Sequence, residues 1–423
     1  MQETSYEQWL NQGRRNAHSA THYGIYVFRP LLPLALVDKG TDGYTGTSIF
    51  LESHKQNESK LRPAKDIVGV SRFGELTAAT VLQMFVPLII VFVAFSTISK
   101  EREEGTLRQT LSLGVSRLTV GIGKFAGTGR VLLYIFLPMV AIGSTFLLIS
   151  ETRAEFDYLT RGALFVLSYL VYFTIWLLVA IISSAWFSSR VSLIFLLAFW
   201  VLTALFIPRG IADASKRLYP TPSVAEFSRA MEQEMLVAEN TRNEKLRKQV
   251  LSQYGVSEVD ELPFNFAGLD LQDSEEKGNA VIDRYHRGLN DILNRQDRLH
   301  QYVSFLSPTQ AIRFVSMGLA GTDTAQHKDF AAAAEAYRRT MVREMNNAIR
   351  DNVGEVDDEY RGTQSLSRQT DRETWAKVAE FHYTVPDAAW VLRNHRLSVT
   401  ALLGWLIVAV LFSIWSVNRM RVW

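Results

Sequence analysis

The chain alternates long polar stretches with five apolar runs, at 76–98, 131–149, 163–186, 191–207 and 399–417. Each run is close to the ~20 residues that a helix needs to cross a lipid bilayer. None of the five contains Asp, Glu, Lys or Arg. The pattern predicts an all-α integral membrane protein with five visible transmembrane helices.

The stretch between the first two runs sets the predicted orientation, because short loops rich in Lys and Arg stay in the cytoplasm. It carries six such residues: Lys100, Arg102, Arg108, Arg117, Lys124 and Arg130. The spans then alternate, so residues 1–75 and 209–396 lie outside, and residues 397–423 form the last span and a cytoplasmic tail. A polar segment of 75 residues needs a preceding helix to carry it outside. We therefore expect that a sixth, N-terminal span is missing from this chain.

The outer stretch 209–396 is polar and is predicted to form a helical domain. Four helix starts are indicated by a capping residue three positions before Glu or Gln: Ser223 with Glu226, Asp273 with Glu276, Ser307 with Gln310, and Asp323 with Gln326. The helices that start at Ser223, Asp273 and Asp323 are predicted to run to about residues 253, 305 and 352, and a last short helix covers 374–381. We expect them to pack as an antiparallel bundle, with residues 11–75 against it.

The loop 100–130, within the membrane segment 76–208, contains a distinctive motif. It reads Glu-Arg-Glu-Glu-Gly-Thr-Leu at 101–107, followed by Leu111, Ser116-Arg117 and Lys124-Phe125. This motif resembles the first cytoplasmic loop of ABC-2-type transporter permeases. The large polar insertion resembles the subgroup of that family associated with multi-copper enzyme maturation systems. Members of the family usually have six membrane helices.

The resemblance implies a permease subunit of an ATP-driven exporter in the bacterial inner membrane. The exporter would move a small or amphiphilic substrate. Its partners would be a cytosolic ABC ATPase dimer, a second permease copy or homologous permease, the bilayer and an extracytoplasmic protein. The residues implied to couple it to the ATPase are Glu101, Glu103, Glu104, Gly105, Thr106, Leu107, Arg108, Leu111 and Arg117. The alternative is a solvated, positively charged loop that binds no partner.

Physical chemistry gives these loop residues separate roles. The glutamates must be solvated or paired with Arg102, Arg108 or basic residues of a partner. Gly105 permits a chain reversal that a side chain would resist, and Thr106 is a candidate cap for the helix that follows. The leucines offer a short apolar surface for a groove or for the lipid interface.

Other functions are disfavoured by the absence of their motifs. No G-x-x-x-x-G-K-[ST] phosphate loop is present, so we expect ATP and Mg²⁺ to bind the partner ATPase and no cofactor to bind this chain. No hydrolase motif is present either, and catalysis by this chain is not expected. A net charge of +2 argues against nucleic-acid binding, and the absence of cysteine excludes thiol chemistry.

Two histidines suggest a different chemistry. His18 and His22 are four residues apart, which on a helix would place both on one face as a pair of metal ligands, although residues 16–20 are not strongly helical in pattern. Two alternatives to export therefore stay open. One is ATP-driven force transmission to an extracytoplasmic maturation or extraction task. The other is a stand-alone, membrane-anchored metal-handling protein.

Overall fold

The computed structural model describes residues 1–57, 77–149, 156–240, 244–351, 355–356 and 368–421, with most side chains beyond residue 134 in the helix Arg117–Ile149 left out. It is mostly helical, with a few short strands. Among the described residues, four helices are long and apolar enough to cross a membrane: Ala78–Glu103, Asp157–Trp186, Ser189–Leu218 and Arg396–Asn418. The chain is therefore a membrane protein by the length and composition of these helices.

The elements follow one another in a simple order. The N-terminal part contains α1 (Gln2–Leu10), β1 (Arg15–Asn16), α2 (Ala17–Tyr23), β2 (Ile25–Phe28) and β3 (Ser48–Leu51). The membrane part contains α3 (Ala78–Glu103), α4 (Thr106–Ser112), α5 (Arg117–Ile149), α6 (Phe156–Trp186) and α7 (Ser189–Leu218). The polar part contains α8 (Val224–Asn240), α9 (Glu244–Tyr254), α10 (Phe266–Val303), α11 (Pro308–Ala320) and α12 (Thr324–Arg350). The chain ends with β4 (Glu355–Val356), β5 (Arg368–Thr370), α13 (Arg372–Trp375), α14 (Ala388–Asn394) and α15 (Arg396–Asn418).

Helix α6 lies at the centre of the membrane part. It packs against α3, α5, α11 and α15, and its Tyr172, Ile175 and Trp176 are fully buried. The ends of the spans alternate as the sequence predicts: Arg102 contacts the carbonyl oxygens of Ala185 and Phe187, so α3 and α6 end on the same side. The predicted span 131–149 lies in α5, which is not among the four candidate spans, and most of its side chains are outside the described residues.

Helix α11 connects the polar part to the spans. All but two of its residues are buried, and it packs against α6 and α15. Its start is capped as predicted: the Ser307 side chain accepts a hydrogen bond from the backbone N–H of Gln310 at 3.1 Å, and Pro308 is the first helical residue. The sequence did not predict that this helix is inserted between spans.

The N-terminal segment packs against the polar helices, and the two build a second hydrophobic core. Trp9 from α1, Val27 from β2 and Phe330 from α12 are fully buried there, together with Trp375. Strand β2 pairs antiparallel with β3, and β5 pairs with both β1 and β4. The expected packing of the early residues against the helical part is therefore present in the structure.

Two predicted helices have wrong bounds, whereas the helix predicted over 223–253 is described as α8 and α9 on either side of residues 241–243, which lie outside the described part. Asp273 starts no helix, because α10 already begins after Asn265, whose side chain accepts from the N–H of Ala267 at 3.0 Å; Asp273 instead pairs with Lys277. The predicted helix 374–381 is only the single turn α13. The Asp323 cap of α12 is confirmed, with a 3.0 Å bond from the N–H of Gln326.

Some predictions fall on residues that are not described. These include residues 58–75 of the segment predicted to pack against the helical part, and residue 76 at the start of the first predicted span.

Candidate functional sites

The predicted coupling loop comprises the end of α3, the short helix α4 and the first turns of α5. Helix α3 ends at Glu103, and Gly105 follows with φ of 80°, a left-handed conformation that favours glycine. Helix α4 then runs back, and Leu107 on it is fully buried. Gly105 thus makes the chain reversal that the sequence predicts.

Two charged residues of the motif are bonded to neighbouring spans. The Arg102 guanidinium donates to the carbonyl oxygen of Ala185 at 2.6 Å and also to that of Phe187, at the end of α6. The Glu103 carboxylate accepts from the backbone N–H of Ser189 at 2.7 Å and from its hydroxyl at 2.9 Å. A carboxylate at a helix N-terminus is stabilised by the unpaired N–H groups there. These contacts join α3 to α6 and α7.

The loop is also joined to the remaining membrane helices. Glu101 forms an ion pair with Lys124 of α5. Arg117, the first residue of α5, donates to the carbonyl oxygen of Asn418 at the end of α15, at 2.9 Å. The loop residues Glu101, Arg102, Glu103 and Arg117 therefore connect the near ends of α3, α5, α6, α7 and α15, a set of contacts that we call the loop clamp.

The outward side of the loop is made of different residues. Leu113, directly after α4, is 83% exposed, and Glu104, Thr106 and Arg108 are exposed as well. Leu111 is half-buried and packs against the membrane core. Thr106 is not the cap that the sequence predicts: Gly105 occupies that position, and the Thr106 hydroxyl donates to the carbonyl oxygen of Glu101 at 3.2 Å.

The nine predicted coupling residues therefore form one continuous structural unit with two sides. Glu101, Glu103 and Arg117 face the spans as part of the loop clamp, and Leu107 is buried beneath them. The side that can meet another protein is carried by Glu104, Thr106, Arg108 and the neighbouring Leu113.

The second candidate site is a cluster of three imidazole rings. The Asn16 side chain accepts from the N–H of His18 at 2.8 Å and caps α2, which ends at Gly24 with φ of 67°. Residues 17–20 are thus helical, against expectation, and His18 and His22 share one face. The capping Asn16 and the closing Gly24 were the available sequence signals.

A third histidine completes this cluster. His54 lies in the turn after β3 and has φ of 65°, the left-handed region that non-glycine residues rarely adopt. The ring centroids of His18, His22 and His54 are 4.8, 5.3 and 5.2 Å apart, taken in pairs. One potential ligand atom from each ring lies within 4.8 Å of the other two. We call these three residues the histidine cluster.

Glu275 of α10 holds His54 in this unusual conformation. Its Oε1 accepts from the His54 backbone N–H at 3.0 Å and lies 2.5 Å from Nδ1 of the same ring. Burial alone would raise the pKa of Glu275, but His54 and Arg338 together hold that pKa below its usual value. Arg338 is itself buried and bonded to Glu335 at 2.8 Å. The carboxylate is therefore ionised and fixed in place.

The other two histidines lie in an environment that favours neutral rings. Burial, and then the neighbouring rings of His22 and His54, lower the pKa of His18 to about 4. Burial and His54 also lower the pKa of His22. The Ser53 hydroxyl lies 3.2 Å from Nδ1 of His22, and the Nε2 atoms of His22 and His18 are 3.2 Å apart. Neutral imidazole is the form that binds metal ions.

A comparison with known protein families gives a match to the polar part of the chain. Residues 225–384 match a protein-family model described as a domain of unknown function, DUF3526. The matched region runs from α8 to just before α14 and includes Glu275 and α11, whereas the loop clamp and the three histidines lie outside it. No curated protein matches the chain.

Proposed function

We propose that this chain is the membrane permease subunit of an ATP-driven ABC-2-type exporter, coupled to a separate cytosolic ATPase. The observation that carries the proposal is the loop clamp. The loop contacts the ends of α5, α6, α7 and α15 through charged side chains. A force applied to its outward side would therefore reach all of these helices at once.

The charge distribution supports the same orientation. Arg102, Arg117, Arg190 and Arg419 lie at the end of the spans that carries the loop, which is the end that the positive-inside bias assigns to the cytoplasm. An ATPase dimer in the cytosol would then meet α4. ATP and Mg²⁺ would bind that partner, and export of a small or amphiphilic compound would follow from the movement of the spans in the bacterial inner membrane.

The test is a detergent co-purification with a matched pair of variants. Leu113→Asp places a charge on the outward side of the loop, and Leu36→Asp places one at a similarly exposed leucine (78% exposed) in the N-terminal segment. Because both side chains are exposed, neither change should unfold the protein. We expect an ABC ATPase to co-purify with the parent and with Leu36→Asp, and to fall at least about tenfold with Leu113→Asp, as for loss of a central apolar contact.

Two results would overturn the proposal. One is that no ABC ATPase co-purifies with the intact parent. The other is that Leu113→Asp retains the ATPase as well as Leu36→Asp does, which would leave the loop as a solvated connection.

A second candidate function, force transmission to an extracytoplasmic task, is favoured by α11. This helix is buried among the spans, and it is continuous in sequence with α10 before it and α12 after it. Movement of the spans would therefore be passed to both long helices. In this alternative, the polar part would work on another protein, and nothing would need to pass between the spans.

The junction of α10 and α11 offers a test of that alternative. The Ser304 and Ser398 hydroxyl oxygens are 3.2 Å apart, and the chain contains no cysteine. The double variant Ser304→Cys, Ser398→Cys can therefore form one defined disulfide. Under force transmission, oxidation should slow ATP hydrolysis by the purified complex and reduction should restore it. An unchanged rate would show that this junction does not move.

A further inference from the structure

The histidine cluster joins parts of the molecule that are distant in sequence. His18 and His22 come from α2, His54 comes from the turn after β3, and the carboxylate behind His54 comes from α10. Three rings at centroid distances of about 5 Å repel one another if protonated and leave polar ring nitrogens facing each other. A cation between them would satisfy all three.

The geometry of the ring nitrogens suits a metal ion. With metal–nitrogen distances of about 2.0–2.1 Å, two imidazoles on a tetrahedral ion have nitrogen atoms roughly 3.3 Å apart. The Nε2 atoms of His18 and His22 are 3.2 Å apart. The third ligand atom, from His54, lies within 4.8 Å of the other two, so the His54 ring must move closer to them to complete the site.

The surroundings supply the support that such a site needs. Metal-binding histidines usually donate their second ring N–H to a carboxylate or another acceptor, which fixes the ring and its tautomer. Glu275 lies at Nδ1 of His54 and Ser53 lies at Nδ1 of His22. In both rings Nε2 is then the atom available to a metal. Glu275 is in turn fixed by the buried Arg338.

We propose that His18, His22 and His54 bind one divalent transition-metal ion, Zn²⁺ or Cu²⁺, through their Nε2 atoms, with Glu275 as the carboxylate that orients His54. Three imidazoles select these ions over Mg²⁺ and Ca²⁺, which prefer oxygen ligands. In a tetrahedral site, water or another ligand would take the fourth position. The bound ion fastens α2 and the β3 turn against α10.

The first measurement is the metal content and affinity of the full chain in detergent, without a histidine tag. The apoprotein is titrated with Zn²⁺ or Cu²⁺ against a chromophoric chelator, and the bound metal is counted by mass spectrometry after dialysis. We expect one ion per chain. Saturating metal should also raise the thermal midpoint, because an ion that binds only the folded state stabilises it.

The variants are chosen to remove ligands without disturbing the backbone. His18→Gln keeps a polar side chain on α2, and His54→Asn is preferred to alanine because asparagine tolerates the left-handed conformation. Each should lower the affinity at least about tenfold. Glu275→Gln should lower it about 10–100-fold, the usual effect of losing a carboxylate behind a ligand. His382→Gln is the control, since His382 is exposed and lies outside the histidine cluster.

The titration distinguishes the outcomes. One equivalent bound by the parent and by His382→Gln, with loss in His18→Gln and His54→Asn, supports the site. Absence of stoichiometric binding in the parent overturns it. Equal binding in all variants, each with the thermal midpoint of the parent apoprotein, overturns it as well, because the ion would then be held elsewhere. The result is independent of the transport proposal, which is tested by co-purification.

Discussion

The coupling loop and the histidine cluster are built from the chain in opposite ways. All four loop residues of the loop clamp lie within 101–117, and their contacts reach outward to other helices. The cluster takes three ligands and a carboxylate from positions between 18 and 275, and its contacts converge. A contiguous site can be read from a motif, whereas a convergent site depends on the packing of the whole polar part. Different substitutions should therefore disrupt the two sites.

The largest expected effect is at the helix contact that positions Glu275. A Cβ on Gly268 would lie 2.5 Å from the carbonyl oxygen of Asn346, and it would also meet the backbone of Arg350 in α12. Gly268→Ala should therefore force α10 and α12 apart, at a cost of roughly 1–3 kcal/mol or more in the free energy of unfolding. Thermal or chemical unfolding in detergent measures this change.

The matched control lies on the same helix. Gly288 has open space around its Cβ position, so Gly288→Ala should be neutral or stabilise the protein by up to about 1 kcal/mol. Equal effects of the two variants would contradict the packing described here. Gly268→Ala should also weaken metal binding, while the contacts of the loop clamp stay intact.

The next largest effect is expected at the loop clamp itself. Arg102→Ala removes the hydrogen bonds to the carbonyl oxygens of Ala185 and Phe187. Because the donor is charged, we expect a loss of about 2 kcal/mol in the free energy of unfolding. Gln109→Ala, at an exposed residue of α4, should change it by no more than about 0.5 kcal/mol. A loss of similar size in both would show that the clamp contacts do not hold the span ends.

A smaller effect is expected from the reversal at Gly105. Its φ of 80° is unfavourable for any residue with a Cβ, although no atom would clash there. Gly105→Ala should therefore cost about 1–2 kcal/mol from backbone strain alone, and Gly105→Asn should cost less. Gly123→Ala, in the regular helix α5 and in open space, is the control in the same unfolding measurement. If the two alanine variants behave alike, the left-handed turn is not required.

The smallest effect is expected at Asp38, which lies in the N-terminal segment and contacts α11. Its side chain accepts from the N–H of Gly40 at 3.0 Å and bonds to Ser316 of α11. Burial raises the pKa of Asp38 above its usual value. At a pH below the ordinary Asp pKa of about 3.9, the carboxyl is protonated in both states. As the pH rises from that value toward the higher folded-state pKa, Asp38 ionises in the unfolded chain but stays protonated in the folded protein. The free energy of unfolding therefore falls over this range.

Asp38→Asn has no such titration and keeps the shape of the protonated acid. The difference in thermal midpoint between Asp38→Asn and the parent should therefore increase as the pH rises from about 4 to 7. A difference that stays constant over this range would indicate that Asp38 titrates normally.

More of the spans and the loop than of the histidine cluster could be predicted from the sequence. The reason is that the cluster depends on interactions between residues far apart in the sequence. Hydropathy is a local property, so α3, α6, α7 and α15 could be located from composition alone. The reversal at Gly105 also has a local cause. The partners of Arg102 and Glu103 depend on which span ends become neighbours, and these could not be read from the loop.

His54 and Glu275 show the same limit more strongly. They are more than two hundred residues apart, and no local pattern relates them. The failed helix start at Asp273 has a similar origin. Its spacing to Glu276 fits a cap, but the earlier Asn265 cap and the packing of Gly268 against α12 start the helix about two turns before it. Tertiary contacts decided between two local signals of comparable strength.

The position of α11 gives the two long helices the mechanics of a lever. Helix α10 contains 38 residues, so it is about 57 Å long at 1.5 Å per residue. Its C-terminal end leads into α11, and α12 leaves from the other end of α11 and returns along α10. A rotation of about 5° at that base would displace the far end of α10 by about 5 Å over this length. Glu275 and the histidine cluster lie toward that far end, where the same rotation produces the largest displacement.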